Sequence, residues 1–148
     1  MSPIHIFIAL TAFSLGAVLF AVWKGTAAER IAACVVVANM VLGYAVNWVT
    51  PELAGTLRFA SDGISAVILL IVTVRYGAPW MGGVMLFYAA QFSLHSFYLV
   101  TARPNTDYLH ALINNINFAG ISWCLIIGTA VTALRRRRRS RASQAPPT

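Results

Sequence analysis

Long apolar runs separated by short polar breaks dominate the chain. Five such runs occur, at about 4–23, 31–49, 57–74, 80–100 and 108–134. A helix rises about 1.5 Å per residue, so about 20 apolar residues cover a hydrocarbon core of ~30 Å. No run shows the one-sided polar stripe of a soluble amphipathic helix along its whole length. The pattern predicts an all-α integral membrane protein, a five-helix transmembrane bundle over residues 1–134 followed by a polybasic, disordered cytoplasmic tail over 135–148.

The third run needs a separate argument because Arg58 and Asp62 lie inside it. Without them only Ile64 to Val74 remains, which reaches roughly half of a ~30 Å core. Thr50-Pro51-Glu52 has the order of a capping threonine, a proline at the first helical position and an acid in the first turn. That places the helix start at Pro51 and carries the helix through Arg58 and Asp62. The alternative, a third segment lying flat on the membrane, leaves four spans and inverts the first two helices.

Charge decides between these threadings. Arg135, Arg136, Arg137, Arg138, Arg139 and Arg141 follow directly on the fifth run, and such blocks are retained on the cytoplasmic side. Five spans then put the N-terminus outside. Lys24, Arg30 and Arg75 fall on the same side as the arginine block, leaving Arg58 and Arg103 on the other. Trp23, Tyr76 and Trp80 mark the inner ends of the spans, and Trp48, Tyr98 and Tyr108 the outer ends, as interfacial aromatics do. The first run lacks the basic flank and small-residue cleavage site of a secretory signal.

Composition agrees. Of 148 residues 59% are hydrophobic and 10% charged, far below the roughly 25% charged of soluble domains. The net charge of +7 would suggest nucleic acid in a soluble protein, but six of the eleven basic residues sit in the terminal block. Topology accounts for them, and no nucleic-acid partner is expected. Ten of the eleven are arginine and alanine is abundant, a bias of GC-rich bacterial genomes that makes a bacterial inner membrane the expected location. Cys34 and Cys124 lie at different depths in apolar runs and are not expected to pair.

Polar residues inside a bilayer are costly, so each requires a partner or a purpose. Gln91, His95 and Tyr98 share one face of the fourth helix at i, i+4, i+7. His110, Asn114 and Asn117 repeat that spacing on the fifth, and Asn39, Gly43 and Asn47 form a stripe on the second. Arg58, Asp62 and Ser65 do so on the third. With the topology above, these polar sets meet in the outer half of the membrane. The expected ligand-binding or polar cluster is Asp62, Gln91, His95, His110, Asn114 and Asn115, with Asn39, Asn47 and Asn117 as ordinary cross-helix hydrogen bonders. His95 and His110 at similar depth raise the option of a haem or metal, with Asp62 as the only acid at that level. The leading expectation is nevertheless no cofactor. Carboxylates for acid–base chemistry are nearly absent, and no nucleophile motif occurs, so an enzyme is not expected.

On the fifth helix Asn117, Gly120, Cys124 and Gly128 make a small-residue face for close helix approach. Trp123, in mid-membrane, is expected to cap the polar layer or to contact another subunit. The arginine block has two readings, a topology anchor or a contact for anionic lipid or an acidic partner. Together these features point to a small multi-pass protein with a binding or accessory-subunit role, holding a small polar ligand, an ion or a partner's helix. A membrane-protein partner or a homo-oligomer is compatible with that role. Size and basic tail are also loosely similar to pore-forming proteins of the holin type, and a small-solute or proton transporter is the other alternative.

Overall fold

The computed structural model describes residues 3–49, 51–103 and 107–143. Five helices follow one another: α1 (Pro3–Lys24), α2 (Ala27–Val49), α3 (Ala54–Tyr76), α4 (Trp80–Val100) and α5 (Tyr108–Ala142). All five are long and apolar enough to cross a membrane. The shortest, at 21 residues, spans ~31 Å at the helical rise.

The third segment is a full member of the bundle. α3 packs between α2 and α4 and runs unbroken through Arg58 and Asp62. Its start differs from the expected one. Pro51–Leu53 form a single 3-10 turn, the α-helix begins at Ala54, and Leu53 at its N-cap makes no side-chain cap bond. Thr50 lies outside the described residues.

Short connections make sequence neighbours antiparallel. Each helix packs against the next, α5 returns against α1, and α2 also touches α5 across the middle. The result is a closed ring of five helices. Lys24, Arg30, Arg75 and the arginine block therefore share one end of the ring, here called the basic end. Thr26 and Glu29 form a capping box at the start of α2, with the Glu29 carboxylate accepting from the Thr26 amide at 2.8 Å. Gly77 ends α3 in the left-handed region, φ 58°, where its amide bonds the Thr73 carbonyl at 2.9 Å. α4 ends in the same type of motif on an alanine. Ala102 takes φ 51°, and the amides of Ala102 and Arg103 reach back to Leu99 and Tyr98.

Lipid is no less apolar than leucine, so helix association rests on close packing rather than on apolar burial. The core shows this. Ala17, Ala21, Ala28, Ala32 and Ala33 are buried together in α1 and α2, beside bulkier Leu69, Met81, Tyr88 and Leu125 from the other helices. Large apolar side chains such as Leu19, Val74, Leu86 and Val100 instead point outward. A surface of that kind suits hydrocarbon and not water.

The small face of α5 meets α4 as expected. A methyl group at Gly120 would strike the Phe87 ring, one at Gly83 the Cys124 sulfur, and one at Gly128 the Trp80 indole. Cys34 and Cys124 are both free thiols. Trp123 does not cap the polar layer; it is 55% exposed and packs on Phe13 at 5.3 Å between ring centroids. Nor does helix α5 stop at Leu134. It continues through the arginine block to Ala142, where the sequence suggested a disordered tail. Arginine is a good helix former, and a helix already nucleated extends at little cost.

Candidate functional site

The polar cluster lies away from the basic end, where α1 and α5 begin, α2 ends and α3 starts. Its centre is Asp62 on α3. One carboxylate oxygen accepts from the Asn39 amide at 3.0 Å, and the other lies 2.5 Å from His95 Nδ1. Asn39 is held in turn by the Ser61 hydroxyl at 2.6 Å. Asp62 and His95 are both buried, and theirs is the one contact between a carboxylate and a basic side chain found among the described residues. A carboxylate in hydrocarbon needs such satisfaction, since an uncompensated buried charge costs several kcal/mol. Arg58 stands one helical turn before Asp62, and its guanidinium approaches the Gly43 carbonyl at 3.5 Å.

Beside this pair is a cavity of about 430 Å³. Asp62, Gln91, His95, Asn114 and Asn115 all line it, so the structure brings together five of the six residues singled out in the sequence. Gln91 donates to the Asn114 side-chain carbonyl at 2.6 Å, tying α4 to α5. His110, the sixth, is not in the wall. It is buried behind His95, ring centroids 5.4 Å apart, and against the Tyr98 ring at 4.7 Å.

Sequence reasoning missed part of the wall. Asn39 makes the cross-helix hydrogen bond expected of it, to Asp62, but it also lines the cavity, as Arg58 does. Phe7, Tyr44 and Trp48 supply aromatic faces from α1 and α2. The Asn39–Gly43 spacing was a usable signal for the first of these. The aromatic contributors carried none, because an aromatic near a helix end reads equally as a belt residue. Asn117 is buried, but its side-chain nitrogen has no partner among the described residues. The side chain of Asn47 lies outside the described ones.

Hydrogen-bond arithmetic sets what the cavity can accept. His95 Nε2 and Gln91 Oε1 are both buried with no partner among the described residues. An amide oxygen accepts and never donates, while Nε2 accepts from a neutral ring and donates from a protonated one. The wall thus holds an unused acceptor in Gln91, and a complementary guest brings a donor: hydroxyl, amide, ammonium or water. The geometry does not suit the haem option. The two imidazoles pack ring on ring at 5.4 Å, side by side rather than opposed across a macrocycle. Among the described residues no group of three His, Cys, Asp or Glu side chains converges as a metal site would require.

Tyr98 and Asp107 close the same end of the bundle. Asp107 caps α5, one carboxylate oxygen accepting from the Leu109 amide at 2.9 Å and the other from the Tyr98 hydroxyl at 2.7 Å. The Tyr98 bond first, then the Leu109 amide, hold the Asp107 carboxyl below the ordinary aspartate range. A depressed native value means that the cap stabilises above the unfolded value of about 4 and fades as pH falls through the native one. Tyr98→Phe should move the Asp107 titration back up toward that unfolded value. Infrared or NMR titration of labelled aspartate reads this directly, and an unmoved titration refutes the coupling.

Comparison of the chain with protein-family models, with curated proteins and with solved structures finds no match. The functional reading rests on the site itself.

Proposed function

We propose that this chain is a small multi-pass protein of a bacterial inner membrane that binds a small, hydrogen-bond-donating polar ligand in the pocket around Asp62 and His95. One observation carries the reading: a buried carboxylate–imidazole pair, with an unused acceptor, Gln91 Oε1, beside it, placed against an open cavity instead of packed protein. Polar side chains that serve only helix association satisfy one another and leave no room between them. A binding or accessory-subunit role follows, with no catalytic step assigned.

The proposed threading has the N-terminus outside and the arginine block cytoplasmic. Its support is the division of positive charge: nine basic residues at the basic end and two, Arg58 and Arg103, toward the other. The pocket then opens toward the outside. In the basic half, Ser14 and Ser122 bond each other at 2.8 Å and Thr132 bonds Glu29 at 2.8 Å. Apart from Thr129 Oγ1 and Trp80 Nε1, which are buried without a partner among the described residues, these polar groups bond one another, which favours a binding pocket over a transport route or pore.

Two measurements test this. In intact cells, Asn115→Cys should react with a membrane-impermeant maleimide added outside, while a cysteine placed at Arg138 should not; the reverse pattern overturns the threading. Mass spectrometry of the protein extracted gently from its own membrane should show a small-molecule adduct that His95→Ala and Gln91→Leu both remove. Identical spectra for all three proteins reduce the cluster to scaffolding.

A further inference from the structure

The sequence suggested a disordered tail over residues 135–148, its arginine block a topology anchor or a contact for anionic lipid or an acidic partner. In the structure the arginines continue a rigid helix, which aims each guanidinium separately. Arg135, Arg136 and Arg139 line a groove of about 470 Å³ between α5 and the turn joining α3 to α4. Arg137, Arg138 and Arg141 do not line it. Arg135 and Arg139 are one helical turn apart and therefore share a face.

None of the three guanidiniums has a carboxylate partner among the described residues, where the one contact between a carboxylate and a basic side chain joins Asp62 to His95. Glu29 also borders the groove, but it is 1% exposed and its two oxygens are occupied by Thr26 and Thr132. Unpaired positive charge faces the groove on one side. On the other stand Tyr76 and Trp80 from the ends of α3 and α4. The Trp80 indole Nε1 is buried with no acceptor among the described residues. The groove thus offers three guanidiniums, an unused N–H donor and two aromatic rings. It lies where the apolar run of α5 ends, at Leu134 and Arg135, which is the depth of the lipid phosphates.

We propose that this groove binds the phosphate of an anionic phospholipid headgroup, with Arg135 and Arg139 as its principal contacts and Trp80 as a donor. Guanidinium matches phosphate oxygens in planar, charge-assisted pairs. The proposal is independent of the pocket around Asp62.

The test compares two double variants of equal net charge in the full-length protein, purified in a neutral detergent and titrated with dioctanoyl-phosphatidylglycerol. Each phosphate-facing arginine should contribute about fivefold in affinity. Arg135→Gln with Arg139→Gln should weaken binding by more than about tenfold, whereas Arg138→Gln with Arg141→Gln should change it by less than about threefold. Trp80→Phe, which keeps the ring and removes the donor, should weaken it a few-fold. Equal losses in the two double variants would show that diffuse charge suffices and overturn the site, as would no binding of the lipid at all. Dioctanoyl-phosphatidylcholine should bind at least tenfold more weakly, and inorganic phosphate no better. Inorganic phosphate binding as tightly as the lipid would overturn the lipid assignment.

Discussion

Asp62→Ala should be the most damaging single change in the bundle. It leaves His95 buried without its carboxylate and frees the Asn39 side-chain amide that Asp62 now accepts from. Removing one member of a buried pair typically costs about 3–5 kcal/mol, because the other is left uncompensated. Replacing both with apolar residues of similar bulk, Asp62→Leu with His95→Phe, should restore most of that loss, and in other buried pairs has even raised stability. The restored bundle should carry no ligand adduct. Thermal unfolding in detergent, followed by circular dichroism, measures all three proteins on one scale. A single-variant loss below about 1 kcal/mol would mean that solvent or lipid headgroups already compensate the pair, and the account of a buried site would fail. The two readouts separate roles: stability reports the pair as scaffold, and the adduct reports it as a site.

The second large effect is expected at the crossing of α4 and α5. A Cβ at Gly128 would stand 2.3 Å from Trp80 Cδ2 and 2.5 Å from Cγ. Cγ is the root of the indole, so the ring cannot simply swing aside, and the whole side chain or the helix must move. Gly128→Val should cost about 1–3 kcal/mol, the range for overpacking a close contact, and Gly128→Ala somewhat less. Gly16 is the control, since no described atom lies within 4 Å of a Cβ added there. Gly16→Ala should be neutral or stabilise α1 by about 0.5–1 kcal/mol through helix propensity. Equal effects at Gly16 and Gly128 would show that the α4–α5 contact is looser than described. The same substitution bears on the basic end, because displacing Trp80 removes one wall of the arginine groove. Gly128→Val should therefore weaken phosphatidylglycerol binding as well, although it touches no arginine.

The two ends of the bundle illustrate different uses of polarity in lipid. Near Asp62 the polar atoms are gathered around open space, with the Gln91 acceptor left over. At the basic end the buried carboxylate of Glu29 is fully used, by its own helix start and by Thr132. Sequence reading placed Glu29 in a connecting segment before the second span. The structure starts α2 at Ala27 and turns this residue inward. A capping box beside a helix start is recognisable from Thr26-x-x-Glu29, but its contact with a threonine 103 positions away is not.

Hydrophobic length and charge placement, taken alone, determined the number of helices and most of their limits, though not the starts of α2 and α3 or the end of α5. The reason is that a spanning helix is a local object whose cost is set by about twenty consecutive side chains. Helical spacing also determined that Gln91, His95 and Asn114 would sit on inward stripes, since faces follow from 3.6 residues per turn. What only the tertiary structure decided is which stripes meet and what lies between them. The closed ring puts Asp62 against His95, sends His110 behind that ring instead of into the cavity, and recruits Asn39, Arg58 and aromatic residues from α1 and α2. It likewise turns a run of six like charges into a helix whose arginines face different grooves, Arg135 and Arg139 on one side and Arg137 and Arg141 on another. Rotation of a helix about its axis in lipid depends on its neighbours' small residues and shapes, and no stretch of a single helix encodes that.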